Sequence, residues 1–310
     1  MTHSKHDTVD LFAGPGGWSV AAKALGLNEI GLEFDHAACE TRRAAGHATI
    51  EGDVRDYGPA DFPNARGLIA SPPCQTFSMA GKGAGRAALD QVLSLIDGMA
   101  VGQRPDVSTL SDERTGLVLE PLRWALDALA LGRPYEWLAF EQVPTVLPVW
   151  HAMAEVLRGA GYHVAAGALQ AEMYGVPQTR KRAILVARYG RDVELPKPTH
   201  QTPVTIEEAI PARKDWELHH WRGSGMLSRH GSRPGRRSDQ AASTVVGHPS
   251  RLRWHRGNAI PEVLSIGEAE TIQSFPASYP WSGATRTPIF KQIGNAVPPL
   301  LALNVLRSVA

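Results

Sequence analysis

The sequence predicts an α/β fold: a doubly wound, mostly parallel sheet carrying a small irregular second lobe. Three observations predict it. Short apolar runs alternate with helical stretches through the first half of the chain. Segments rich in glycine, proline and polar residues follow directly on several of those runs, at strand ends, where ligands bind in such sheets. Past Tyr189 the periodicity weakens, and Pro, His, Arg and Trp become frequent.

Val9–Phe12 reads as a buried strand, followed by a glycine turn and a helix from Trp18. Ile30–Phe34 is a second strand, with a helix over His36–Ala45, and a third strand ends at Asp53. Gly67–Ala70 is a short strand running into Ser71-Pro72-Pro73-Cys74. Ala87–Leu110 reads as an insertion after a loop tip at Gly81–Gly85. The spacing of Leu89, Val92, Leu93 and Ile96 within it predicts a helix, read either as core packing or as a lid that contacts a ligand. Trp137–Phe140 is another strand, and the helix Trp150–Arg158 is closed by Gly159 and Gly161. Ala183–Ala187 is a further strand. Pro298-Pro299 opens an apolar helix, Leu300–Val309, because proline lacks only an N–H that is unpaired at a helix start. The expected organisation is a first domain over 1–188, a small lobe over 189–284, and a segment over 285–310 that returns to the first domain.

The 310 residues, 43% of them hydrophobic, suffice for one large domain and a lobe. A net charge of +1 means that any nucleic-acid contact must come from a local patch. Two cysteines, Cys39 and Cys74, make neither a disulfide framework nor a four-ligand zinc site, and no metal is expected. Met1–Asp10 is polar, unlike a signal peptide, and no apolar run approaches the roughly 18 residues of a membrane span. A reducing cytoplasm is the expected location.

The turn after the first strand, Asp10-Leu-Phe12-Ala-Gly14-Pro-Gly16-Gly17, can bring a ligand against bare backbone. No Gly-Lys-Ser/Thr follows, which disfavours a phosphate loop. Glu33, about 20 residues on, is placed to accept hydrogen bonds from a ribose diol. Phe34 could stack on an adenine, and Asp53, before Val54, could accept from its amino group. These features suit a dinucleotide and S-adenosylmethionine alike.

Two prolines stiffen the chain before Cys74 and hold its thiol at a strand end, in Pro73-Cys74-Gln75-Thr-Phe-Ser78. Phe140-Glu141-Gln142-Val143-Pro144 follows 67 residues later, also at a strand end. Gln178-Thr-Arg180-Lys-Arg182 stands just before a strand.

Together these segments resemble the DNA (cytosine-5) methyltransferase family of bacterial or phage type. Asp10–Ser19 looks like its first motif, Pro73-Cys74-Gln75 its catalytic loop, Glu141-Gln142-Val143 its Glu-Asn-Val, and Gln178-x-Arg180-x-Arg182 its Gln-x-Arg-x-Arg. Thr244, after an Arg-rich stretch, looks like the weak ninth motif. Gly294-Asn295-Ala296-Val297-Pro298-Pro299 matches the tenth, which in the family folds back beside the first. The matches run in family order from Asp10 to Pro299, leaving 189–240 and roughly 84–110 uncovered. The resemblance implies the sheet of S-adenosylmethionine-dependent methyltransferases, with a target-recognition lobe. It implies S-adenosyl-L-methionine as cofactor, S-adenosyl-L-homocysteine as product, and a cofactor site at Phe12, Gly14, Gly16, Gly17, Glu33, Phe34, Asp53, Val54, Pro73, Asn295 and Val297.

The chemistry explains the residues. Cytosine C5 is a poor nucleophile, and a thiolate adding to C6 makes it enamine-like. That role falls to Cys74, with Gln75 beside it. An acid near N3 must donate, which fits a buried Glu141. Arg180 is expected to hold the base or Glu141, and Arg182 to brace the site. In a duplex the base must be flipped out to reach Cys74. Gln142 departs from the family's Asn; its longer side chain is expected still to hydrogen-bond the catalytic loop's backbone, so altered rate is expected before lost activity.

Arg213–Arg256 holds ten Arg/Lys against three Asp/Glu, where the family reads its target. Trp216, His219, His220, Trp221, Arg222, Arg229, Arg233, Arg236 and Arg237 combine aromatic and basic side chains there, and Ser78 and Lys82 would add contacts from the catalytic loop. The expected partner is double-stranded DNA, with a cognate restriction endonuclease as a further one and a monomer as the active unit. The alternative within enzymes is an RNA (tRNA) cytosine-5 methyltransferase, since one tRNA-modifying branch has a similar Ser-Pro-Pro-Cys-Gln loop. An inactive DNA-binding relative is disfavoured by intact Cys74, Glu141 and Arg180, and an oxidoreductase by Pro-Cys-Gln.

Overall fold

The computed structural model describes residues 3–73, 83–110, 112–220, 235–248 and 252–310. A fully buried β1 (Thr8–Leu11) leads through the glycine turn into α1 (Gly17–Ala24). β2 (Glu29–Glu33), α2 (His36–Ala44) and β3 (Ala48–Glu51) follow. Asp35 caps α2, accepting from the Ala37 and Ala38 amides. β4 (Gly67–Ala70) has the span expected. Then come α3 (Gly83–Ala100), the short α4 (Glu113–Gly116), α5 (Glu120–Ala130) and β5 (Trp137–Gln142). α6 (Leu147–Gly159), β6 (Tyr162–Gln170), the two-residue β7 (Gln178–Thr179) and β8 (Lys181–Tyr189) complete this half.

Seven strands form one sheet in the order β3-β2-β1-β4-β5-β8-β6. The first five are parallel, and β8 runs antiparallel to both β5 and β6. The strand order reverses between β1 and β4, whose carboxyl ends pair Leu11 with Ala70. Such a switch point opens a crevice at the strand ends. The glycine turn leaves β1 and the Pro-Pro segment leaves β4, so both sit on this crevice. One core packs Leu11, Leu32, Leu68 and Phe140 against α3, α5 and α6. The other packs Trp18, Ile69, Ile184 and Val186 against α10 (Pro299–Arg307).

The helix expected within Ala87–Leu110 is α3, and it starts earlier. Gly83–Gly85 belong to its first turn rather than to a loop tip, while 81 and 82 lie outside the described residues. Val92, Ile96 and Met99 face the first core, so this stretch packs as a core helix. α5 and β6 were not expected from the sequence; β6, Tyr-His-Val-Ala-Ala-Gly-Ala-Leu-Gln, has too little polar–apolar contrast to show a period of two.

The second lobe is more regular than its sequence suggests. α7 (Ile206–Ala209) precedes β9 (Glu217–His220), β10 (Arg236–Arg237), β11 (Ala242–Ser243), β12 (Leu252–His255), β13 (Glu262–Val263), α8 (Ile266–Ile272) and α9 (Arg286–Asn295). β10-β9-β12-β13 form an antiparallel sheet of two- to four-residue strands, too short for sequence alternation to register. Leu218, Leu252 and Trp254 bury against Phe290 and Ile293 of α9, so α9 packs with the lobe while α10 packs with α1. β11 pairs with β7, Ala242 opposite Gln178 and Ser243 opposite Thr179, and joins the lobe to the main domain. No helix among the described residues is long and apolar enough to cross a membrane.

Candidate active site

The glycine turn is shaped by the far end of the chain. A Cβ on Gly17 would stand 2.1 Å from the Val297 carbonyl oxygen, so only glycine lets the Ala296–Pro298 backbone lie against the start of α1. The Tyr279 hydroxyl donates to the Pro15 carbonyl at 2.7 Å. Gly16, at φ +105°, provides the left-handed step into α1. Phe12 also takes a positive φ, +59°.

Glu33 closes the turn. Its Oε2 accepts the Gly14 amide at 2.7 Å, and its Oε1 accepts the amides of Phe34 at 2.9 Å and Asp35 at 2.7 Å. Oε2 accepts one amide, so it retains acceptor capacity. Phe34 is 77% exposed beside it, an apolar ring in water. Space beyond Gly14 is open: apart from its own chain neighbours, no heavy atom lies within 4 Å of where a Cβ would stand. An acceptor, an exposed ring and a bare backbone suit a ribose and adenine.

Asp53 differs from its expected state. β3 stops at Glu51, and Asp53 starts a 3-10 turn beginning at Val54, which is buried. Its carboxylate accepts the Arg55 amide at 2.9 Å and pairs the Arg55 guanidinium at 2.6 Å, which holds its pKa below the usual carboxylate range. An adenine amino group would share this acid with Arg55. Asn295 is exposed at the end of α9, and Val297 is buried beside Gly17.

Beneath the turn lies a buried charge cluster. Arg42 and Glu29 pair at 2.8 Å, with side-chain exposures of 0% and 5%. Asp10 is fully buried, and neither of its oxygens has a hydrogen-bond partner. Burial, and then the neighbouring Glu29 charge, push the Asp10 carboxyl well above its usual range, while Arg42 pulls it down.

On the other side of the crevice, Trp18 Nε1 donates to Ser71 Oγ at 2.9 Å and ties α1 to the segment leaving β4. The Gln142 amide donates to the Pro72 carbonyl, and its oxygen accepts the Val143 amide. A glutamine at this position therefore bridges the ends of β4 and β5. Pro73 is half-buried, and Cys74, Gln75, Ser78 and Lys82 lie outside the described residues.

The two motif arginines divide their work differently from the expectation. Glu141, 5% exposed at the end of β5, pairs with Arg182 Nε at 2.8 Å. Arg180 sends its guanidinium the other way, to the carbonyls of Gly294 at 2.9 Å, Ala296 at 3.1 Å and Val245 at 3.4 Å. The reason is where β8 begins: Arg182 lies within the strand, and Arg180 lies before it. Glu141 opposes Ile184 across the antiparallel pair, and Arg182 shares that face two residues on. Arg180 precedes β8 and points to the lobe and tail.

Gln178 was unassigned in the sequence beyond its motif. Fully buried, it donates to Ile272 O at 3.0 Å and to the Gln273 side chain, and accepts the Val245 amide at 3.1 Å. Gln273 in turn donates to Ala296 O at 2.7 Å. Thr244 Oγ1 donates to Thr179 O at 2.5 Å. These amides bolt the lobe and the Ala296 tail onto one motif. Gln273 carries no sequence signal, because its role depends on three distant segments meeting.

Of the recognition candidates, Trp221, Arg222, Arg229 and Arg233 lie outside the described residues. Arg236 and Arg237 form β10, and Arg237 pairs with Asp239 at 2.9 Å. Trp216 stacks on Arg213 at 4.7 Å, which also lies 5.0 Å over Trp254 and pairs with Glu262 at 2.7 Å and Glu268 at 2.5 Å. Trp216 is thus part of the lobe's internal bracing. His219 meets the His255 ring at 4.7 Å and Glu217 at 2.8 Å.

The family model described as C-5 cytosine-specific DNA methylase matches residues 6–95, 138–228 and 223–310. The chain belongs to this family. The methylase is a DNA (cytosine-5) methyltransferase. It is 27% identical over 331 residues to Type II methyltransferase M.NgoMIV of Neisseria gonorrhoeae, covering 97% of this chain and 96% of that one. It is 29% identical over 330 residues to Type II methyltransferase M.AplI of Arthrospira platensis, covering 97% and 84%. The methylase also shares its fold with the Dnmt2 methyltransferase of S. pombe, at TM-score 0.71 and 15% identity over 98% of this chain and 97% of that one.

Proposed function

We propose that the enzyme transfers a methyl group from S-adenosyl-L-methionine to carbon 5 of a flipped-out cytosine in double-stranded DNA, through a covalent bond between Cys74 and C6. The observation that carries this reading is the Glu141–Arg182 pair at the end of β5, tied by Gln142 to the Pro72 carbonyl two residues before Cys74. A buried acid at one strand end, and a cysteine four residues past the end of the neighbouring strand in sequence, supply the two groups that addition across the C5–C6 bond requires.

Glu33, Phe34, Asp53 and the Gly14–Gly17 backbone would hold the cofactor, which when bound supplies an electrophilic methyl group. The Cys74 thiolate adds to C6 while Glu141 donates at N3, and electron density moves to C5. Arg182 keeps Glu141 oriented toward the ring. After C5 is methylated, loss of its proton reforms the C5–C6 double bond and expels the Cys74 thiolate. Arg236, Arg237 and the basic residues between them and β9 would contact DNA. A cognate endonuclease would share the target of such a methylase.

Covalent trapping tests the reading. Duplex DNA and tRNA, each substituted with 5-fluorocytosine, are incubated with enzyme and cofactor. A denaturant-resistant adduct is expected on DNA with wild type and not with Cys74→Ser, since fluorine cannot leave as the C5 proton does. An adduct that persists in Cys74→Ser removes Cys74 from the role, and one on tRNA alone reverses the substrate.

A further inference from the structure

Arg42 stands in the charged run Glu40-Thr41-Arg42-Arg43, which reads as a solvated helix face, yet its side chain is 0% exposed. Its guanidinium leaves α2 and crosses β2 at Gly31, where a Cβ would stand 2.1 Å from its terminal nitrogen. Besides Glu29 it donates to Ser19 Oγ at 2.8 Å, Ala48 O at 3.1 Å, Thr49 Oγ1 at 3.2 Å and Ala13 O at 3.4 Å. Ser19 lies in the first turn of α1, and Ala13 immediately precedes Gly14. The planar fork therefore grips both ends of the glycine turn from behind. A buried ion pair adds little net stability over apolar residues of the same volume. A guanidinium that clears a glycine in β2 and grips this turn has a geometric role that an apolar side chain could not fill.

We propose that Arg42, anchored by Glu29, is the positioning residue of the cofactor turn, holding Ala13 and Ser19 so that the Gly14 amide meets Glu33. The inference rests on the reading of that turn as the S-adenosylmethionine site. Without the fork, the turn samples other conformations, and Glu33 loses the partner that fixes its Oε2.

The test compares wild type with Glu29→Met/Arg42→Met, which removes both charges together, and with Ser19→Ala and Arg42→Lys. Calorimetry measures S-adenosylhomocysteine affinity, and native-state amide exchange at 13–17 is followed in the cofactor-free protein. The double variant is expected to keep its Tm within a few degrees, bind S-adenosylhomocysteine at least tenfold more weakly, and exchange the Gly14 amide at least tenfold faster. Ser19→Ala should show about a threefold change in both. A folded double variant with wild-type affinity and exchange overturns the proposal. Should it not fold, Ser19→Ala and Arg42→Lys with wild-type values in both measurements overturn it equally. If wild type itself binds no S-adenosylhomocysteine, the cofactor reading falls, and the exchange rates still judge Arg42.

Discussion

Arg182 Nε lies 2.8 Å from Glu141 Oε1, reaching it from the neighbouring antiparallel strand. The pair fixes one carboxylate oxygen of a nearly buried acid. Glu141→Gln keeps the shape and removes the proton donor that the proposed mechanism requires. Turnover should fall by about 10²–10⁴-fold, the usual value of general acid assistance, with S-adenosylhomocysteine and DNA affinities within about twofold of wild type. Single-turnover methyl transfer measures this. Turnover within a factor of a few of wild type moves the acid elsewhere.

Gln142 joins the ends of β4 and β5 through the Pro72 carbonyl. Gln142→Ala leaves that buried carbonyl without its donor, at about 1–3 kcal/mol. The loop carrying Cys74 should lose its register, so kcat falls while the KM for cofactor holds. Gln142→Asn, the residue usual in the family, should retain most of the activity. Steady-state kinetics on both variants decide it; equal losses would mean that the bridge is not what the loop depends on.

Glu33 accepts three backbone amides and would accept a ribose diol. A hydrogen bond to a charged group contributes about 1.5–3 kcal/mol, so Glu33→Ala should weaken S-adenosylhomocysteine binding by roughly 10–150-fold. Unchanged affinity by calorimetry would exclude the role.

Asp10 gives stability a pH dependence of known sign. Burial raises its pKa, so the native state keeps a proton that the unfolded chain releases above about pH 4. The unfolded state then binds fewer protons, and stability falls as pH rises from about 4 through the native pKa. Asp10→Asn removes this term. Urea unfolding at pH 5, 6.5 and 8 should show wild type losing stability with pH relative to Asp10→Asn. Parallel curves would show that Asp10 is ionised in the native protein.

Arg236 and Arg237 border the lobe's sheet edge as β10. If either contacts phosphate, its change to Ala should weaken binding to all duplexes alike and reduce the salt slope by about one unit. If it reads a base, the site should relax at one position, by roughly 1–3 kcal/mol. Affinity as a function of salt, together with methylated sites mapped in a random library, separates the two. Neither effect at either residue moves recognition elsewhere.

The sequence by itself determined the parallel half and the placement of the glycine turn, the Pro-Pro segment and the Glu141-Gln142 motif at strand ends. The reason is that each of these is local: an apolar run, then a turn or short segment whose composition defines it. β4 was legible to the residue, and the sequence put Glu33 at the end of the second strand, about 20 residues after the glycine turn, where β2 ends. Only the tertiary structure decided which arginine serves Glu141, because that depends on the antiparallel register of β8 against β5. It likewise decided the Gln178–Gln273–Ala296 chain, the short-stranded lobe and the burial of Arg42. Each of these joins residues far apart in sequence, through single side chains whose partners no local pattern encodes.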